Sequence, residues 1–475
     1  MDVSGSKVTV LGAGASGRSA ARWAVSGGAA VSVSDLKPLE DWPQDFVDWC
    51  MKNHVFIEAG HQDEKTCLSS DLIIASPGIP YDIPALKAAR NAGVPVLGEL
   101  ALAASMWRGP MIAITGTNGK TTTTSLVGEM FRNAGVPYRV AGNIGEPLLN
   151  LILEGASEEV AILEMSSFQL DYFPLGETFF NEPRFAAAAI LNLAPDHMDR
   201  YQDLHAYGHS KARLLDMQGE GGWSILNGAD ANLASFIERG AGGRLFFGFD
   251  DMGRNGAVIE ADKGLIRVNL LESIKNSGEE IYHTSSWALK GRHNLENLAA
   301  AVLLARVSGV GPAAVQAAIA TFKAPSHRIE WVAARGGINY YDDSKGTNVG
   351  SVIKAIESME APVVLIAGGR GKGESYGPLR DALILGGVKA LVLMGEEASA
   401  IRRELKGAVP MYEVSETSDG RRAMKEAVEI ASSRAQKGDA VLLSPACASF
   451  DMFADYKERG AVFKEAVLGL ADTEA

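Results

Sequence analysis

The stretch Met111-Ile-Ala-Ile-Thr115-Gly-Thr-Asn-Gly-Lys120-Thr-Thr122 decides the fold of the central part of the chain. Its apolar start predicts a strand that ends at Thr115, followed by a glycine-containing turn and a helix that opens at Lys120. Backbone N–H groups in such a turn point at phosphate oxygens, and the helix N-terminus attracts anions. Lys120 is placed to neutralise β- and γ-phosphates, and Thr121 to hold Mg²⁺. We therefore expect an ATP-binding phosphate loop.

The spacing of this loop departs from the general pattern, because two residues rather than four separate Gly116 from Gly119. A glycine turn with a chance lysine is the alternative interpretation. The strand before the loop and the helix after it favour the phosphate loop.

Strand-like runs alternate with helical stretches along the whole chain, which is typical of α/β layers with largely parallel sheets. The predicted strands are 7–11, 29–35, 72–76, 111–115, 160–164, 187–192, 363–367, 390–394 and 440–444, and residues 297–307 have helical spacing. At about 150 residues per domain, a chain of 475 residues predicts three α/β domains. We place them at 1–108 (Rossmann-like), 109–323 (a parallel-sheet domain of the P-loop ATPase type) and 324–475 (Rossmann-like), with a linker at 323–326.

Composition excludes several classes of protein. The net charge of −13 argues against general nucleic-acid or anionic-membrane binding. Three scattered cysteines (Cys50, Cys67 and Cys447) are too few for a disulfide framework or a cysteine metal site, and they fit a reducing compartment. No targeting segment and no run of about 18 apolar residues is present. We expect a soluble cytoplasmic protein with neither nucleic-acid nor membrane partners.

A second glycine loop, Gly12-Ala-Gly14-Ala-Ser-Gly17, follows the first predicted strand, and Asp35 ends the next. Taken alone, this pattern predicts a dinucleotide such as NAD. A dehydrogenase has no need of a second phosphate loop, however, so the domain could instead hold the diphosphate and ribose of another nucleotide, such as a UDP-linked substrate. A tight turn without a ligand is the third interpretation.

Carboxylate and imidazole side chains follow two further strands. Glu164 lies at a strand end, and Asp196 and His197 come just after another. Oxygen ligands suit Mg²⁺, and we favour metal binding over a structural Asp–His hydrogen bond, because these strand ends and the phosphate loop converge on one sheet edge. Lys211, judged from its own surroundings in the sequence, is a solvated helix lysine.

Polar loops follow three strands of the last domain, at 341–348, 368–373 and 444–451, and predict one binding face. Before that domain, Asn294 and Asn297 could read a base, although an N-capping role for Asn294 is equally compatible with the sequence. Arg328 could bring its guanidinium to a phosphate.

These motifs make the chain similar to the Mur ligase family over essentially its whole length. The short loop Gly-Thr-Asn-Gly-Lys-Thr at 116–121 is typical of that family, which accounts for its spacing. The most specific motifs are Asp-Ser-Lys-Gly-Thr-Asn at 343–348 and Ser-Pro-Ala-Cys-Ala-Ser-Phe-Asp at 444–451. The sequence lacks the Asp-Asn-Pro-Arg signature of ligases that add a diamino acid. Folylpolyglutamate synthases share the phosphate loop but have no such glycine-loop first domain.

The resemblance implies a monomeric ATP-dependent amide ligase that adds D-glutamate to UDP-N-acetylmuramoyl-L-alanine through an acyl phosphate, in peptidoglycan precursor synthesis. It implies that the UDP-substrate is bound in the first domain, ATP in the central domain and the amino acid in the last. The implied ATP contacts are Gly116, Thr117, Asn118, Gly119, Lys120, Thr121, Thr122, Asn294, Asn297, Arg328 and Asp343. The implied UDP-substrate contacts are Gly14, Ala15, Ser16, Gly17, Asp35, Ser76, Pro77, Gly78, Asn143, Ser166, Gln169 and His197.

The resemblance also implies an amino-acid site, a metal centre and a catalytic set. The D-glutamate contacts would be Thr347, Lys372, Ser449, Phe450 and Tyr456. Two Mg²⁺ ions would be held by Thr121, Glu164, His197 and a carbamylated Lys211, which overrides the interpretation of that lysine as solvated. The catalytic residues would be Lys120, Glu164, His197, Lys211 and Lys345.

Two positions depart from the family pattern: the interval from His197 to Lys211 is short, and Arg370 stands where an acidic or neutral residue is expected. Three rival functions stay open at this point. They are a kinase, a nucleotide-switched binding protein and an NAD enzyme. A ligase of this kind needs to exclude water, and we therefore place a hinge near 323–325.

Overall fold

The computed structural model describes residues 2–250, 253–270, 278–323, 326–415 and 419–470. They form three sheets with helices between the strands, so the predicted α/β fold class is confirmed. The chain divides into two compact units. The first contains Met1–Asn192, His205–Ser285 and Asn297–Ile319, and the second contains Leu193–Leu204, Ser286–Glu296 and Ala320–Ala475.

The first sheet is parallel throughout and has the strand order β3-β2-β1-β4-β5. Its strands are β1 (Lys7–Leu11), β2 (Ala30–Asp35), β3 (Phe56–Ala59), β4 (Leu72–Ala75) and β5 (Val96–Gly98). The helices of this region are α1 (Ala15–Ser26), α2 (Gln44–Lys52), α3 (Glu64–Leu68), α4 (Pro84–Asn91) and α5 (Glu99–Met106). This order reverses direction between β1 and β4, which is where Rossmann-like sheets bind ligands.

The second sheet has nine strands in the order β14-β13-β12-β11-β10-β9-β6-β8-β7. They are β6 (Met111–Thr115), β7 (Tyr138–Gly142), β8 (Val160–Glu164), β9 (Ala187–Ile190), β10 (Trp223–Asn227), β11 (Gly243–Gly248), β12 (Gly256–Glu260), β13 (Leu265–Leu270) and β14 (Gly278–His283). Its helices are α6 (Lys120–Asn133), α7 (Leu148–Leu153), α8 (Ser167–Asp171), α9 (Leu204–Asp216), α10 (Arg292–Val307) and α11 (Pro312–Thr321). The strands pair in parallel from β7 to β12, and only β13 and β14 add antiparallel pairs.

The third sheet belongs to the second unit and has the order β15-β16-β20-β17-β18-β19. Its strands are β15 (Glu330–Arg335), β16 (Ile338–Asp342), β17 (Val363–Gly368), β18 (Val388–Met394), β19 (Met411–Glu413) and β20 (Ala440–Leu443). The helices are α12 (Val349–Glu357), α13 (Leu379–Leu385), α14 (Ala398–Glu404), α15 (Gly420–Arg434) and α16 (Tyr456–Leu468). Among the described strand pairs of this sheet, only β15–β16 is antiparallel, so the predicted parallel character holds here as well.

Two sequence predictions concern the start of α10 and the linker before the last predicted domain. An N-cap role for Asn294 is wrong, because α10 already begins at Arg292 and the Asn294 Nδ2 donates to the Lys290 carbonyl within the turn (2.7 Å). The predicted linker and hinge fall largely on Ala324 and Pro325, which lie outside the described residues.

The first two sheets share one apolar core within the first unit. Helices α1, α5 and α7 pack together there, and residues such as Leu100, Leu148 and Leu149 are buried. Glu99 is buried at the start of α5, and its Oε1 accepts a hydrogen bond from the Leu149 N–H (2.8 Å) at the start of α7. Burial raises the pKa of Glu99 to about 7, against the lowering effect of that single hydrogen bond.

No described helix is long and apolar enough to cross a membrane. Cys50, Cys67 and Cys447 are all free and buried, which confirms that they form no disulfide framework.

Replacing Glu99 by Gln removes a titrating proton but keeps the acceptor for Leu149. Since folding raises the pKa of Glu99 from 4.5 to about 7, the folded chain keeps a proton that the unfolded chain loses, and this residue's contribution to stability falls as the pH rises through that interval. We expect equal free energies of unfolding at about pH 4, and a variant that is more stable on the order of 3 kcal/mol at about pH 8. Urea denaturation at both pH values measures this. A difference that does not change with pH would contradict it.

Candidate active site

The phosphate loop connects β6 to α6 as the sequence predicts, and α6 begins at Lys120. Two of its residues have backbone conformations that favour glycine, Gly116 with φ 147° and Gly119 with φ 86°. A Cβ atom at Gly119 would lie 2.1 Å from the Asn297 Oδ1, so α10 packs directly against the loop. Asn297, a predicted ATP contact, is thus brought to the phosphate loop.

Two lysine side chains converge on one carbonyl group of this loop. The Lys120 Nζ donates to the Gly116 carbonyl (2.8 Å) and to the Thr117 carbonyl (2.8 Å). The Lys211 Nζ, from α9, donates to the same Gly116 oxygen (2.9 Å) and lies over the Tyr207 ring. Lys211 is 1% exposed, so the interpretation of it as a solvated helix lysine is wrong. Its burial depends on the packing of α9, which is a tertiary feature.

The sheet order explains which residues surround the loop. β6 pairs in parallel with β8 on one side and with β9 on the other, so the carboxyl ends of all three strands lie at one edge. Asn192, just after β9, binds the loop from that side. Its Oδ1 accepts from the Asn118 N–H (2.8 Å), and its Nδ2 donates to the Asn118 carbonyl (3.0 Å). Asn192 has no role in the sequence predictions, although its position after a strand beside the phosphate loop is a usable signal.

Glu164 ends β8 on the other side and is buried. Asn143 holds it in place, with its Nδ2 donating to the Glu164 Oε1 (2.8 Å) and its backbone N–H donating to the Glu164 carbonyl (2.8 Å). The second carboxylate oxygen, Oε2, is buried and has no hydrogen-bond partner among the described residues. Since a buried carboxylate oxygen needs a cation or a donor, Glu164 fits a metal ligand. Thr121, in the first turn of α6, is also buried.

The predicted UDP-substrate residues of the first sheet meet at its switch point, which is the place between β1 and β4 where the strand order reverses. Gly17 packs so closely on the end of β1 that a Cβ atom there would lie 1.8 Å from the Gly12 carbonyl oxygen. Asp35 closes the loop from β2, because its Oδ2 accepts from the Ala13 N–H (2.7 Å). Ser76 follows β4, the neighbour of β1, and its buried Oγ has no hydrogen-bond partner in the described parts of the chain. The crevice between Gly14–Gly17 and 76–78 therefore has the Rossmann-like geometry for a nucleotide.

Ser166 and Gln169 form a capping box at the start of α8. The Ser166 Oγ accepts from the Gln169 N–H (3.2 Å), and the Gln169 Oε1 accepts from the Ser166 N–H (3.0 Å). Helix capping alone accounts for both residues.

The second unit contains the predicted ATP contacts Arg328, Asp343 and Asn294. Asp343 is buried just after β16, and the Ser444 Oγ donates to its Oδ2 (2.7 Å). Burial raises the pKa of Asp343 to about 7, partly offset by the Ser444 hydrogen bond and the Arg328 guanidinium. Gly346 is required here, since a Cβ atom would lie 2.4 Å from the same Oδ2.

A cavity of about 380 Å³ opens within the second unit. Asn294 and Arg328 both line it, together with Lys290, Trp331 and Tyr341. Its size suits a purine base, and its wall combines two amides, the Arg328 guanidinium, the Lys290–Glu360 ion pair (2.6 Å) and aromatic rings. Two predicted ATP contacts are therefore brought to one cavity.

The predicted amino-acid residues Lys372 and Thr347 are in contact. The Lys372 Nζ donates to the Thr347 Oγ1 (3.1 Å) and to the Asp196 Oδ1 (3.3 Å). The other oxygen of buried Asp196 accepts from the Asn348 Nδ2 (3.0 Å). Because protein groups contact both Asp196 oxygens, the structure favours an internal ion pair over the metal ligation expected for this residue. His197 follows in the left-handed conformation (φ 57°), with its Nε2 3.7 Å from the Asp196 Oδ2.

The other predicted amino-acid residues lie at nearby positions in the chain, with different exposures. Ser449 is buried, whereas Phe450 is 63% exposed. Tyr456 begins α16, and its ring lies 5.0 Å from the Lys345 Nζ. The guanidinium of Arg370 is directed at Glu396 (2.8 and 3.0 Å), which accounts for the unexpected charge beside Lys372.

Two residues of this region were missed by sequence reasoning. Arg459 is 1% exposed, and its guanidinium donates to the Ser344 carbonyl (2.7 Å) and the Cys447 carbonyl (3.1 Å), which joins two of the polar loops. Its position on the apolar face of α16, with Val462 and Phe463, is the available signal. Glu374 lies beside Lys372, and its Oε2 accepts from the Val349 N–H (3.2 Å).

Comparison with protein families finds three matches that follow one another along the chain. Residues 6–98 match the Mur ligase MurD-like N-terminal domain, and residues 114–305 match the Mur ligase middle domain. Residues 327–447 match the Mur ligase glutamate ligase domain.

Curated relatives are similar over the full length. The UDP-N-acetylmuramoylalanine–D-glutamate ligase of Koribacter versatilis is 40% identical, with 100% of both chains covered. The enzyme of the same name from Geotalea daltonii is 39% identical, with 99% of each chain covered.

Solved structures share the fold at low sequence identity. A pseudomurein peptide ligase type C from Methanothermus fervidus has a TM-score of 0.59 at 17% identity, covering 97% of this chain and 99% of its own. UDP-N-acetylmuramate-alanine ligase from Thermotoga maritima has a TM-score of 0.57 at 18% identity, covering 98% of this chain and 99% of its own.

Gly119→Ala should weaken nucleotide binding by at least about tenfold, or about 1.4 kcal/mol. The new Cβ would collide with Asn297 and strain a residue whose φ is 86°. Gly135→Ala is the matched control, since Gly135 follows α6 with φ 67° but a Cβ there meets nothing within 4 Å. It should cost about 1 kcal/mol of stability and leave ATP affinity unchanged. ATP titration of both variants measures the difference, and equal affinities would contradict the crowding argument.

Proposed function

The chain belongs to the Mur ligase family, and from this membership we propose that it is an ATP-dependent ligase that joins D-glutamate to UDP-N-acetylmuramoyl-L-alanine. The observation that carries the proposal is full-length similarity, at about 40% identity, to relatives that bear the name of this ligase. The product would be a precursor of peptidoglycan, so the activity would serve cell-wall formation, cell shape and division.

The phosphate loop supports ATP as the energy source. Both the Lys120 and the Lys211 ammonium groups lie on the Gly116 carbonyl, at the N-terminus of a 14-residue helix. Positive charge at the N-terminus of a helix favours a triphosphate. We propose that ATP is bound by residues 116–122 and Asn297, and by Asn294, Arg328 and Asp343, with the base in the cavity that Asn294 and Arg328 line.

Two Mg²⁺ ions would be held by Thr121, Glu164, His197 and a carbamylated Lys211. The buried, unpartnered Glu164 Oε2 supports this assignment for one ion. Bound Mg²⁺ would offset the negative charge that gathers on the transferring phosphoryl group.

For carbamylation, the Lys211 ammonium would lose one proton, and the neutral amine would then join carbon dioxide with loss of a second proton. The modification would replace a buried ammonium, which lies beside that of Lys120, by an anionic oxygen ligand. The burial of Lys211 and its contact with the phosphate loop support this proposal.

The UDP-substrate is proposed to lie on the switch point of the first sheet. Gly14 to Gly17, Asp35 and residues 76–78 would hold its diphosphate and ribose, and the buried Ser76 Oγ is a donor in want of an acceptor. Asn143, Ser166, Gln169 and His197 are proposed as further contacts. Of these, Asn143 already holds Glu164, and the Ser166 and Gln169 side chains serve the capping box.

D-Glutamate is proposed to bind at Thr347, Lys372, Ser449, Phe450 and Tyr456. The Lys372 ammonium already holds one carboxylate, that of Asp196, together with the Thr347 hydroxyl. This arrangement is a carboxylate-binding geometry, which supports an acidic amino acid as the substrate.

The reaction follows in two steps. The carboxylate of the UDP-substrate attacks the γ-phosphorus of ATP, which releases ADP and leaves an acyl phosphate. The amine of D-glutamate then attacks the acyl carbon, and the tetrahedral adduct expels phosphate and a proton to give the amide. Lys120 would stabilise the charge of the first step, and Lys345 is proposed to lie near the reacting groups.

We further propose that the protein acts as a cytoplasmic monomer, with its three domains at 1–108, 109–323 and 324–475. Each of these segments contains one of the three sheets.

The function is tested by measuring phosphate release. Each reaction contains ATP, UDP-N-acetylmuramoyl-L-alanine and one member of a panel of D- and L-amino acids. We expect release with D-glutamate and not with L-glutamate or neutral amino acids, and only when both substrates are present. A phosphorylated product formed without an amino acid would indicate a kinase, and slow ATP turnover that ignores both substrates would indicate a nucleotide switch. Hydride transfer to NAD would indicate a dehydrogenase.

Lys211→Arg tests the carbamate. Arginine keeps the positive charge but does not form the anionic ligand, so we expect turnover to fall by about 100-fold or more. The parent should lose activity in buffer depleted of carbon dioxide and recover it when bicarbonate returns, whereas the variant should not respond. Initial rates at saturating substrates measure both effects, and an arginine variant with parental turnover would refute the carbamate.

A further inference from the structure

A strained turn lies in the second unit, just before β15. His327 has φ 65° and Ile329 has φ 47°, both in the left-handed region. That conformation is costly for a non-glycine residue and rare for a β-branched one. Arg328, between them, lines the cavity together with Asn294. Neighbouring groups must therefore hold the turn in this conformation.

Four side chains, which we name the Asp342 clasp, supply that constraint: His327, Glu330, Asp342 and Lys464. The His327 Nδ1 donates to the Oδ2 of Asp342, a residue with no exposed surface (2.6 Å). The Glu330 Oε2 accepts from the His327 N–H (2.8 Å) and from the Lys464 Nζ (2.7 Å). The Lys464 Nζ is also 3.8 Å from the Asp342 Oδ2.

The clasp packs so closely against α16 that position 460 has no room for a residue larger than glycine. A Cβ atom at Gly460, on α16, would lie 2.2 Å from the His327 Nδ1 and 2.7 Å from the Asp342 Oδ2. Helix α16 therefore approaches the clasp with both Gly460 and Lys464.

The clasp is also bonded to the loop after β16. The Asp342 Oδ1 accepts from the Ser344 N–H (2.9 Å), and the Lys345 N–H donates to the His327 carbonyl (3.2 Å). A shift of the clasp would therefore move Arg328 on one side and Asp343 and Lys345 on the other.

Residue types alone would suggest a metal site here, because His327, Glu330 and Asp342 offer ligand atoms within 4.8 Å of one another. The Lys464 ammonium already contacts both carboxylates, however. It supplies the positive charge that a cation would bring.

We propose that the Asp342 clasp is a set of positioning residues for the nucleotide, which fixes Arg328 against the cavity and the 343–345 loop beside it. The inference rests on the proposed function only in taking ATP as the substrate. It makes the C-terminal helix, through Lys464, a determinant of ATP affinity.

The test uses the full chain with His327→Ala, His327→Gly, His327→Asn, Lys464→Met and Lys464→Arg. ATP affinity is measured by titration, KM is measured for each of the three substrates, and thermal melting reports stability. We expect His327→Ala and Lys464→Met to weaken ATP binding by about tenfold to 100-fold, with the other two KM values unchanged. Asn tolerates the left-handed conformation and can donate to Asp342, so His327→Asn should recover most of the affinity. Lys464→Arg should recover part of it.

Arg402→Met is the matched control. The Arg402 guanidinium pairs with Glu413 (2.9 Å) between α14 and β19, at the opposite edge of the third sheet from β15 and β16, and neither residue lines the cavity. Loss of that pair should lower the melting temperature and leave ATP affinity unchanged.

Three outcomes would overturn the proposal. One is lower melting temperatures for His327→Ala and Lys464→Met with parental ATP affinity, which would make the clasp purely structural. Another is parental ATP affinity in His327→Gly. Because glycine adopts the left-handed conformation without strain, that result would attribute the loss in His327→Ala to backbone strain alone and leave the imidazole no role. The third is binding of Zn²⁺ or Mn²⁺ alone by the parent, abolished in His327→Ala. A parent that binds ATP but forms no amide with D-glutamate would refute the proposed function and not the clasp, since the titration needs no amino acid.

Discussion

Two ammonium groups that donate to one neutral carbonyl oxygen are the constraint on which the first unit is built. Lys120 and Lys211 both contact the Gly116 oxygen, at 2.8 and 2.9 Å, and Lys211 is buried. Like charges this close repel, and burial reduces the screening by water. The fold holds both side chains on this oxygen, so a polyanion that binds to the loop meets two ammonium groups. Because both ammonium groups are in place before the nucleotide binds, the loop favours a triphosphate.

That constraint explains the placement of the surrounding elements. Since β6 lies between β8 and β9, the loop is flanked by Glu164 on one side and Asn192 on the other. Asn192 fixes the backbone of Asn118 by bonding to both its N–H and its carbonyl group. Glu164 presents an unpartnered oxygen to the edge where the positive charge collects. The sheet order, rather than any single motif, brings these groups together.

Sequence reasoning predicted the strand ends well, because the periodicity of apolar residues and the residue types of turns are local signals. β1, β6 and β8 have the predicted bounds, and α6 begins at the predicted residue. What it missed depends on tertiary packing. The burial of Lys211 requires α9 to pack on the loop, and Arg459 and Lys464 bond to residues more than 100 positions away in the chain. The N-cap role considered for Asn294 as an alternative is wrong, because the helix begins two residues earlier.

In the second unit, by contrast, three buried or half-buried cationic side chains contact protein carboxylates or carbonyl oxygens. Lys464 contacts Glu330 and Asp342, Lys372 contacts Asp196, and the Arg459 guanidinium is surrounded by carbonyl oxygens. An anion that binds at Lys372 must therefore exchange with Asp196, whereas a phosphate at Lys120 meets two ammonium groups that both donate to a neutral carbonyl oxygen. Exchange of one ion pair for another gains little free energy, so specificity there must come from geometry. Phosphate binding, by contrast, draws on the charge of both Lys120 and Lys211, so affinity is expected to be concentrated in the first unit and discrimination in the second.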